Sequence, residues 1–178
     1  MKIRRKIPRV LEPEEVAKMF QAAKVSARDS MILKCIYYLG LTNKEVRTIL
    51  CRDIDLGRGR ARIVNKGRGR WMPVPRDFGS EIEEFTGNRR GNVFWGKSND
   101  KTISDRHIRR IVKKYAELAN VRKYEEIHPH TLRHSYAAHL KMSGVSMADL
   151  QRMLGLARKE TTNIYGYIDV MKSISKKD

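Results

Sequence analysis

Apolar residues recur at helical spacing along most of this chain, with one interruption where the period drops to two. Leu11-Glu12-Pro13-Glu14-Glu15 marks a helix start, with Pro13 at the first helical position and acids in the first turn. Val16, Met19 and Phe20 then predict a helix buried along one side to about Ala23. Ser26 is placed to cap a second helix, in which Met31, Ile32, Cys35, Ile36 and Leu39 make one apolar stripe ending at Gly40. Asn43 is placed to cap a short third helix that buries Val46, Ile49 and Leu50. The pattern then changes. Asp53-Ile54-Asp55-Leu56, Ala61-Arg62-Ile63-Val64 and Trp71-Met72-Pro73-Val74-Pro75 read as short strands, with turns at Gly57 and Lys66-Gly67-Arg68-Gly69. The prediction is a small antiparallel sheet with a basic, glycine-rich tip.

Helical spacing returns near 78–86, followed by the short apolar piece Val93-Phe94-Trp95. Ser104 opens a long amphipathic helix with Ile108, Ile111, Val112, Tyr115 and Leu118 inward, ended by Asn120. Arg106, Arg109, Arg110, Lys113 and Lys114 lie on its other face, which suits a solvated surface and a DNA contact equally. A helix from about Thr131 to Ser143 closes at Gly144. Ser146 with Asp149 resembles a capping box for the next, closed at Gly155. A last helical segment carries Tyr165. The fold class is mainly α with a small antiparallel three-stranded sheet (α+β). The expected organisation is one domain over residues 1–178, with a basic lead-in at 1–10 and a tail at 170–178.

Charge narrows the function classes. The 38 Lys+Arg against 20 Asp+Glu give a net +18, a surface that attracts polyanions, with nucleic acid the first partner to consider. A ribosomal protein or a binder of anionic membranes shares that property. No apolar run approaches the ~20 residues of a membrane span. Met1-Lys2-Ile3-Arg4-Arg5-Lys6 is basic without the apolar region of a secretory signal. Cys35 and Cys51 have no metal-ligand spacing and read as reduced thiols of a cytoplasmic protein, nucleoid-associated or in a host cell if viral. No metal site is expected.

The chemistry concentrates in His130-Thr131-Leu132-Arg133-His134 and in the tyrosine of Thr161-Thr162-Asn163-Ile164-Tyr165. His130 and Arg133 lie one helical turn apart on the same face, able to grip a phosphate that gains charge in a transition state. The planar fork of Arg133 suits two phosphate oxygens at once. A tyrosine hydroxyl can attack phosphorus. His134 and His139 read as helix packing.

With their surroundings, these segments resemble the catalytic domain of the tyrosine recombinase (phage integrase, Xer-like) family from about Pro8 to Asp169. Pro129-His130-Thr131-Leu132-Arg133-His134-Ser135-Tyr136 looks like the family's His-x-x-Arg box. Leu150-Gln151-Arg152-Met153-Leu154-Gly155 and Thr161-Thr162-Asn163-Ile164-Tyr165 keep its order and spacing. Val64-Asn65-Lys66-Gly67-Arg68-Gly69-Arg70 looks like the hairpin of its catalytic lysine. Gly40-Leu41, Glu45 and Asp53-Ile54-Asp55 look like the box around its first arginine. The resemblance implies site-specific recombination or integration of double-stranded DNA through a 3′-phosphotyrosyl intermediate at Tyr165. Arg133 would clamp the phosphate, His130 would assist, Lys66 would be the general acid, and Arg68 and Arg70 would hold the DNA backbone. Bond energy kept in the phosphotyrosyl link implies no metal or nucleotide cofactor. The family's N-terminal core-binding domain is expected to be absent from this chain. The tail from Val170 is expected to dock on a neighbouring protomer, as C-terminal segments do in this family.

Two positions depart from the family pattern. Thr42 stands where the first catalytic arginine belongs, and Leu156 where a His or Trp is usual. Neither donates a charged hydrogen bond. Losing one preorganised donor typically costs ~2.7–4 kcal/mol of transition-state stabilisation. Arg47 lies five positions beyond residue 42, off its helical face. Explanations for Thr42 are an engineered change, a degenerate copy, or rescue by another basic residue. The alternative function is therefore a catalytically degenerate recombinase acting as a DNA-binding module. A basic RNA- or ribosome-associated protein is a third class, and it predicts that Lys66, Arg133 and Tyr165 do not converge.

Binding to duplex DNA is expected to weaken steeply with salt, each neutralised phosphate adding about −0.9 to the log–log slope. Titration from low to moderate salt checks this, and a nearly flat response contradicts backbone clamping.

Overall fold

The computed structural model describes residues 8–96 and 102–155. The elements among them are helices α1 (Pro13–Ala23), α2 (Ala27–Tyr38) and α3 (Asn43–Thr48), strands β1 (Ile54–Asp55), β2 (Arg60–Asn65) and β3 (Arg68–Pro73), then helices α4 (Arg76–Thr86), α5 (Asp105–Leu118), α6 (Pro129–Met142) and α7 (Met147–Leu154). Single-turn 3₁₀ segments bridge Cys51–Asp53, Leu56–Arg58 and Tyr124–Glu126.

Helix α2 is the axis of the core. Ile32, Leu33, Cys35 and Ile36 are fully buried, and the helix packs against α1, α3, α4, α5 and α6. It is buried beyond the single stripe read from its spacing, because neighbours cover it on several sides. Its polar members are satisfied there: the Tyr115 hydroxyl of α5 donates to Asp29 at 3.1 Å. Ser26 caps the helix, accepting from the Asp29 N–H at 3.3 Å. On α5 the basic residues face outward as predicted, but Leu118 is 56% exposed. The helix ends at Leu118, and the turn beyond it buries Val121 instead.

Helix α6, which carries the His-x-x-Arg motif, is anchored from both flanks. The Ser135 hydroxyl accepts from the Leu11 N–H at 2.9 Å and donates to the Thr131 carbonyl at 2.7 Å. The ring of His139 bridges the Tyr37 hydroxyl (2.7 Å) and the Leu11 carbonyl (3.0 Å). That geometry suits an Nε2–H tautomer, donating to the carbonyl and accepting from the phenol. Helix α6 starts at Pro129, two residues earlier than its apolar spacing indicates, since proline fits the first helical position.

The antiparallel sheet has the order β1-β2-β3. Asn65 pairs with Arg68, so the hairpin turn is only Lys66-Gly67, both at positive φ (50° and 76°). Positive φ at both central residues is the two-residue turn that matches strand twist. Arg68 and Gly69 therefore belong to β3, not to a four-residue tip. This register decides orientation, because alternate residues share a face. Arg70 lies on the same face as buried Met72, opposite Ile63. Arg60 and Trp71 stack on the other face, the guanidinium 3.9 Å from the ring centre. The sheet lies against α3 through β2 and against α7 through β3, which brings its tip beside α6.

Gly40, between α2 and α3, has φ +55°. A Cβ there would lie 3.0 Å from Leu154 Cδ2 and 3.3 Å from Tyr136 Cδ1. Gly40→Ala combines a left-handed backbone cost with this collision and is expected to lose about 1–3 kcal/mol of unfolding free energy in urea. A loss below about 0.5 kcal/mol, the range of an inert surface change, contradicts that account.

Candidate active site

One cavity of about 1090 Å³ opens where α3, the β2–β3 hairpin, α6 and α7 meet. Lys66, Arg68, Arg70, His130 and Arg133 all line it, together with Thr42, Glu45 and Arg152. Four of the segments singled out in the sequence thus converge. Tyr165, Leu156 and the tail lie outside the described residues. Among the described residues, no group of three or more His, Cys, Asp or Glu is gathered as a metal would require.

The centre of the site is Glu45, 2% exposed. Its Oε1 accepts from Arg70 Nη1 (2.5 Å) and Asn65 Nδ2 (3.1 Å). Its Oε2 accepts from Arg70 Nη2 (3.0 Å) and the Thr42 N–H (2.8 Å), with Arg133 Nη1 3.7 Å away. Burial by itself pushes this carboxyl up, but the Arg70 hydrogen bonds and charge, the Thr42 N–H and the Arg133 charge together hold it below the usual range.

Glu45 is placed by a capping box. Thr42, not Asn43, is the N-cap of α3: its hydroxyl accepts from the Glu45 N–H at 3.3 Å while the Glu45 carboxylate accepts from the Thr42 N–H. Asn43 is the first helical residue. The Thr42-x-x-Glu45 spacing is a sequence signal for this cap. Arg47 points elsewhere, donating to the Ile103 carbonyl at 3.0 Å.

Arg133 is 6% exposed. Its guanidinium donates to the Gly40 carbonyl and, at 2.5 Å, to the Leu154 carbonyl. Both acceptors are main-chain carbonyls at helix ends rather than side chains. Gly40 follows α2, and Leu154 closes α7 before the left-handed Gly155 (φ +63°). Unpaired carbonyls at helix ends are natural partners for a cation.

Arg70 differs from its expected place on a DNA-facing surface. Its side chain is 11% exposed and forked onto Glu45, and its Nε donates to the Met153 carbonyl at 2.6 Å. Arg68, two residues nearer the turn, is exposed at the cavity wall. Lys66 is exposed at the turn in a left-handed conformation that a lysine adopts only with strain.

His130 sits at the cavity mouth with its pKa lowered, first by lost hydration and then by the charges of Arg133, His128 and Arg109. These effects favour the neutral ring, the form able to accept a proton. His134 is pushed down to about 4, chiefly by burial and also by His130 and Arg133. Its neutral ring packs behind His130, the ring centres 6.3 Å apart.

A profile of the Phage integrase family matches residues 9–170. The chain belongs to that family. It is similar to tyrosine recombinase XerC of Thermodesulfovibrio yellowstonii (strain ATCC 51303 / DSM 11347 / YP87), 31% identical over all of this chain and 64% of the relative. Tyrosine recombinase XerA of Thermococcus kodakarensis (strain ATCC BAA-918 / JCM 12380 / KOD1) is 31% identical over 95% of this chain and 61% of its own length. The chain thus spans about three fifths of the length of the curated relatives it matches. The crystal structure of a XerA recombinase superposes with TM-score 0.80 at 21% identity, over 90% of this chain and 60% of that one. The catalytic domain of bacteriophage HP1 integrase gives 0.66 at 19% identity, over 90% and 88%. Both share the fold of this integrase-family chain. Among the described residues, no helix is long and apolar enough to cross a membrane.

The lowered Glu45 pKa gives a signed pH dependence. Its stabilisation is fully present above the unfolded carboxylate value, about 4.3, and is lost as pH falls through the lower folded value. Glu45→Gln is expected to cost about 3–5 kcal/mol at pH 7, because it leaves a buried guanidinium without its counter-charge. The variant should also lose less stability than wild type between pH 5 and pH 3, measured by denaturant unfolding. Parallel pH profiles for the two proteins would sink the linkage.

Proposed function

We propose that this chain cleaves and rejoins double-stranded DNA in site-specific recombination or integration, with Tyr165 as nucleophile. The observation that carries the reading is the cavity that Lys66, His130 and Arg133 line together. A basic RNA- or ribosome-associated protein gives no reason for that convergence.

The chemistry follows from the residues. The Tyr165 hydroxyl attacks the scissile phosphorus and its proton passes to a base, a role neutral His130 can fill. The new bond joins the tyrosine oxygen to phosphorus, and the bond to the 5′-oxygen breaks. Lys66, on the hairpin turn, protonates that oxygen, leaving a 3′-phosphotyrosyl link and a free 5′-hydroxyl. Arg133, oriented by two helix-end carbonyls, stabilises the charge on the non-bridging oxygens. Arg68 and the outward arginines and lysines of α5 hold the duplex backbone and set register without reading sequence. Rejoining is the reverse, with an incoming 5′-hydroxyl as nucleophile. The relatives named as XerC and XerA tyrosine recombinases support this assignment.

The substitution at Thr42 keeps a second reading in view, a chain that binds DNA without cutting it. A duplex selected for binding from a randomised pool and nicked beside its cleavage position decides between them. Cleavage is expected to release a short strand and trap a covalent protein–DNA adduct, absent in Tyr165→Phe. Retained binding with no adduct in the wild-type chain establishes the binding module instead.

A further inference from the structure

We infer that Arg70 supplies the second fixed guanidinium of the phosphate site, entering from strand β3 in place of the arginine that Thr42 replaces. This rests on the strand-cleavage reading above.

Four observations carry it. First, Arg70 and the start of α3 share an atom: Glu45 Oε2 accepts from both Arg70 Nη2 (3.0 Å) and the Thr42 N–H (2.8 Å). The guanidinium therefore lies beside residue 42, and Thr42 lines the same cavity. Secondly, Arg70 is held as Arg133 is. Each guanidinium faces Glu45, and the two donate to consecutive carbonyls at the end of α7, Met153 for Arg70 and Leu154 for Arg133. Thirdly, three of the five N–H groups of Arg70 are engaged among the described residues, one each on Nε, Nη1 and Nη2. One further N–H on each terminal nitrogen is available to an oxyanion. Fourthly, the surroundings make room for it. A Cβ at residue 155 would lie 3.2 Å from Arg70 Cδ, so glycine there admits the arginine stem. The short side chain of Thr42 caps α3 and lines the same cavity as Arg70.

Charge explains why a buried arginine suits this position. Glu45 fixes the fork, removing the cost of ordering a long side chain when substrate arrives. The cavity it faces carries Lys66, Arg68, His130, Arg133 and Arg152, so an anion entering it meets several donors at once. A purely structural Arg70–Glu45 ion pair is the competing account.

Covalent adduct formation on the nicked duplex separates the two, measured for wild type, Arg70→Ala, Arg70→Lys and the double variant Arg70→Ala/Thr42→Arg. Arg70→Ala is expected to slow the adduct about 10²–10³-fold, the usual loss for one preorganised donor. The double variant should regain at least tenfold, because its guanidinium reaches the same space from the other side. Arg70→Lys keeps a cation beside Glu45 but loses the fork, and is expected to slow at least tenfold; it carries the test should Arg70→Ala not fold. Cleavage within threefold of wild type in a folded single variant overturns the inference. So does a folded double variant with no recovery. A wild-type chain that binds the duplex but forms no adduct overturns the cleavage reading alone. Titration with inorganic phosphate then tests Arg70: affinity lost in Arg70→Ala and restored by Thr42→Arg supports the site, and unchanged affinity overturns it.

Discussion

A single buried carboxylate organises the cavity end of this molecule. Glu45 accepts from a strand arginine, a hairpin asparagine and a helix-cap N–H, and it faces the arginine of the His-x-x-Arg helix. These groups come from α3, the β2–β3 hairpin and α6, three separate stretches of the chain. A buried carboxylate without partners is strongly disfavoured, so each segment must arrive for the others to be stable there. The same requirement makes the site rigid. Its guanidinium groups are oriented before any substrate enters, and orientation before binding is what electrostatic stabilisation of a phosphoryl transition state demands.

Helix termini are the second structural theme. The carbonyls that hold Arg133 and Arg70 belong to Gly40, Met153 and Leu154, close to the ends of α2 and α7. Gly40 and Gly155 both take left-handed backbone, and at both a methyl group would crowd a neighbour. The glycines thus terminate helices, aim carbonyls and leave space for side chains. Thr42 opens α3 as a cap, so a position that departs from the family pattern still has a structural duty. Losing a cap typically costs about 1 kcal/mol.

Much was legible from local pattern. The order of helices, the three strands, the Ser26, Ser104 and Ser146 caps and the stops at Gly40, Asn120, Gly144 and Gly155 follow from spacing and punctuation that act within a few residues. The convergence of Lys66, His130 and Arg133 followed from resemblance to a family, since no local rule relates residues that far apart. What local reading missed has an identifiable cause in each case. The hairpin turn is two residues, not four, because pairing continues to Asn65 and Arg68. Asn43 suits a cap by residue type, but the cap is Thr42, whose capping-box partner Glu45 stands three residues on. Helical spacing places Leu118 inward, but the helix ends there and leaves it 56% exposed.

The sequence by itself determined the family and the fold class, because these rest on residue type, order and short-range periodicity. Only the tertiary structure decided where Arg70 points. A strand's register fixes the face of every side chain, and a shift of one residue would turn this arginine from Glu45 to solvent. Pairing Ile63 with Arg70 and Ala61 with Met72 places the guanidinium inside. The cavity beside Thr42 is therefore lined by an arginine that no reading of residues 40–45 alone would supply.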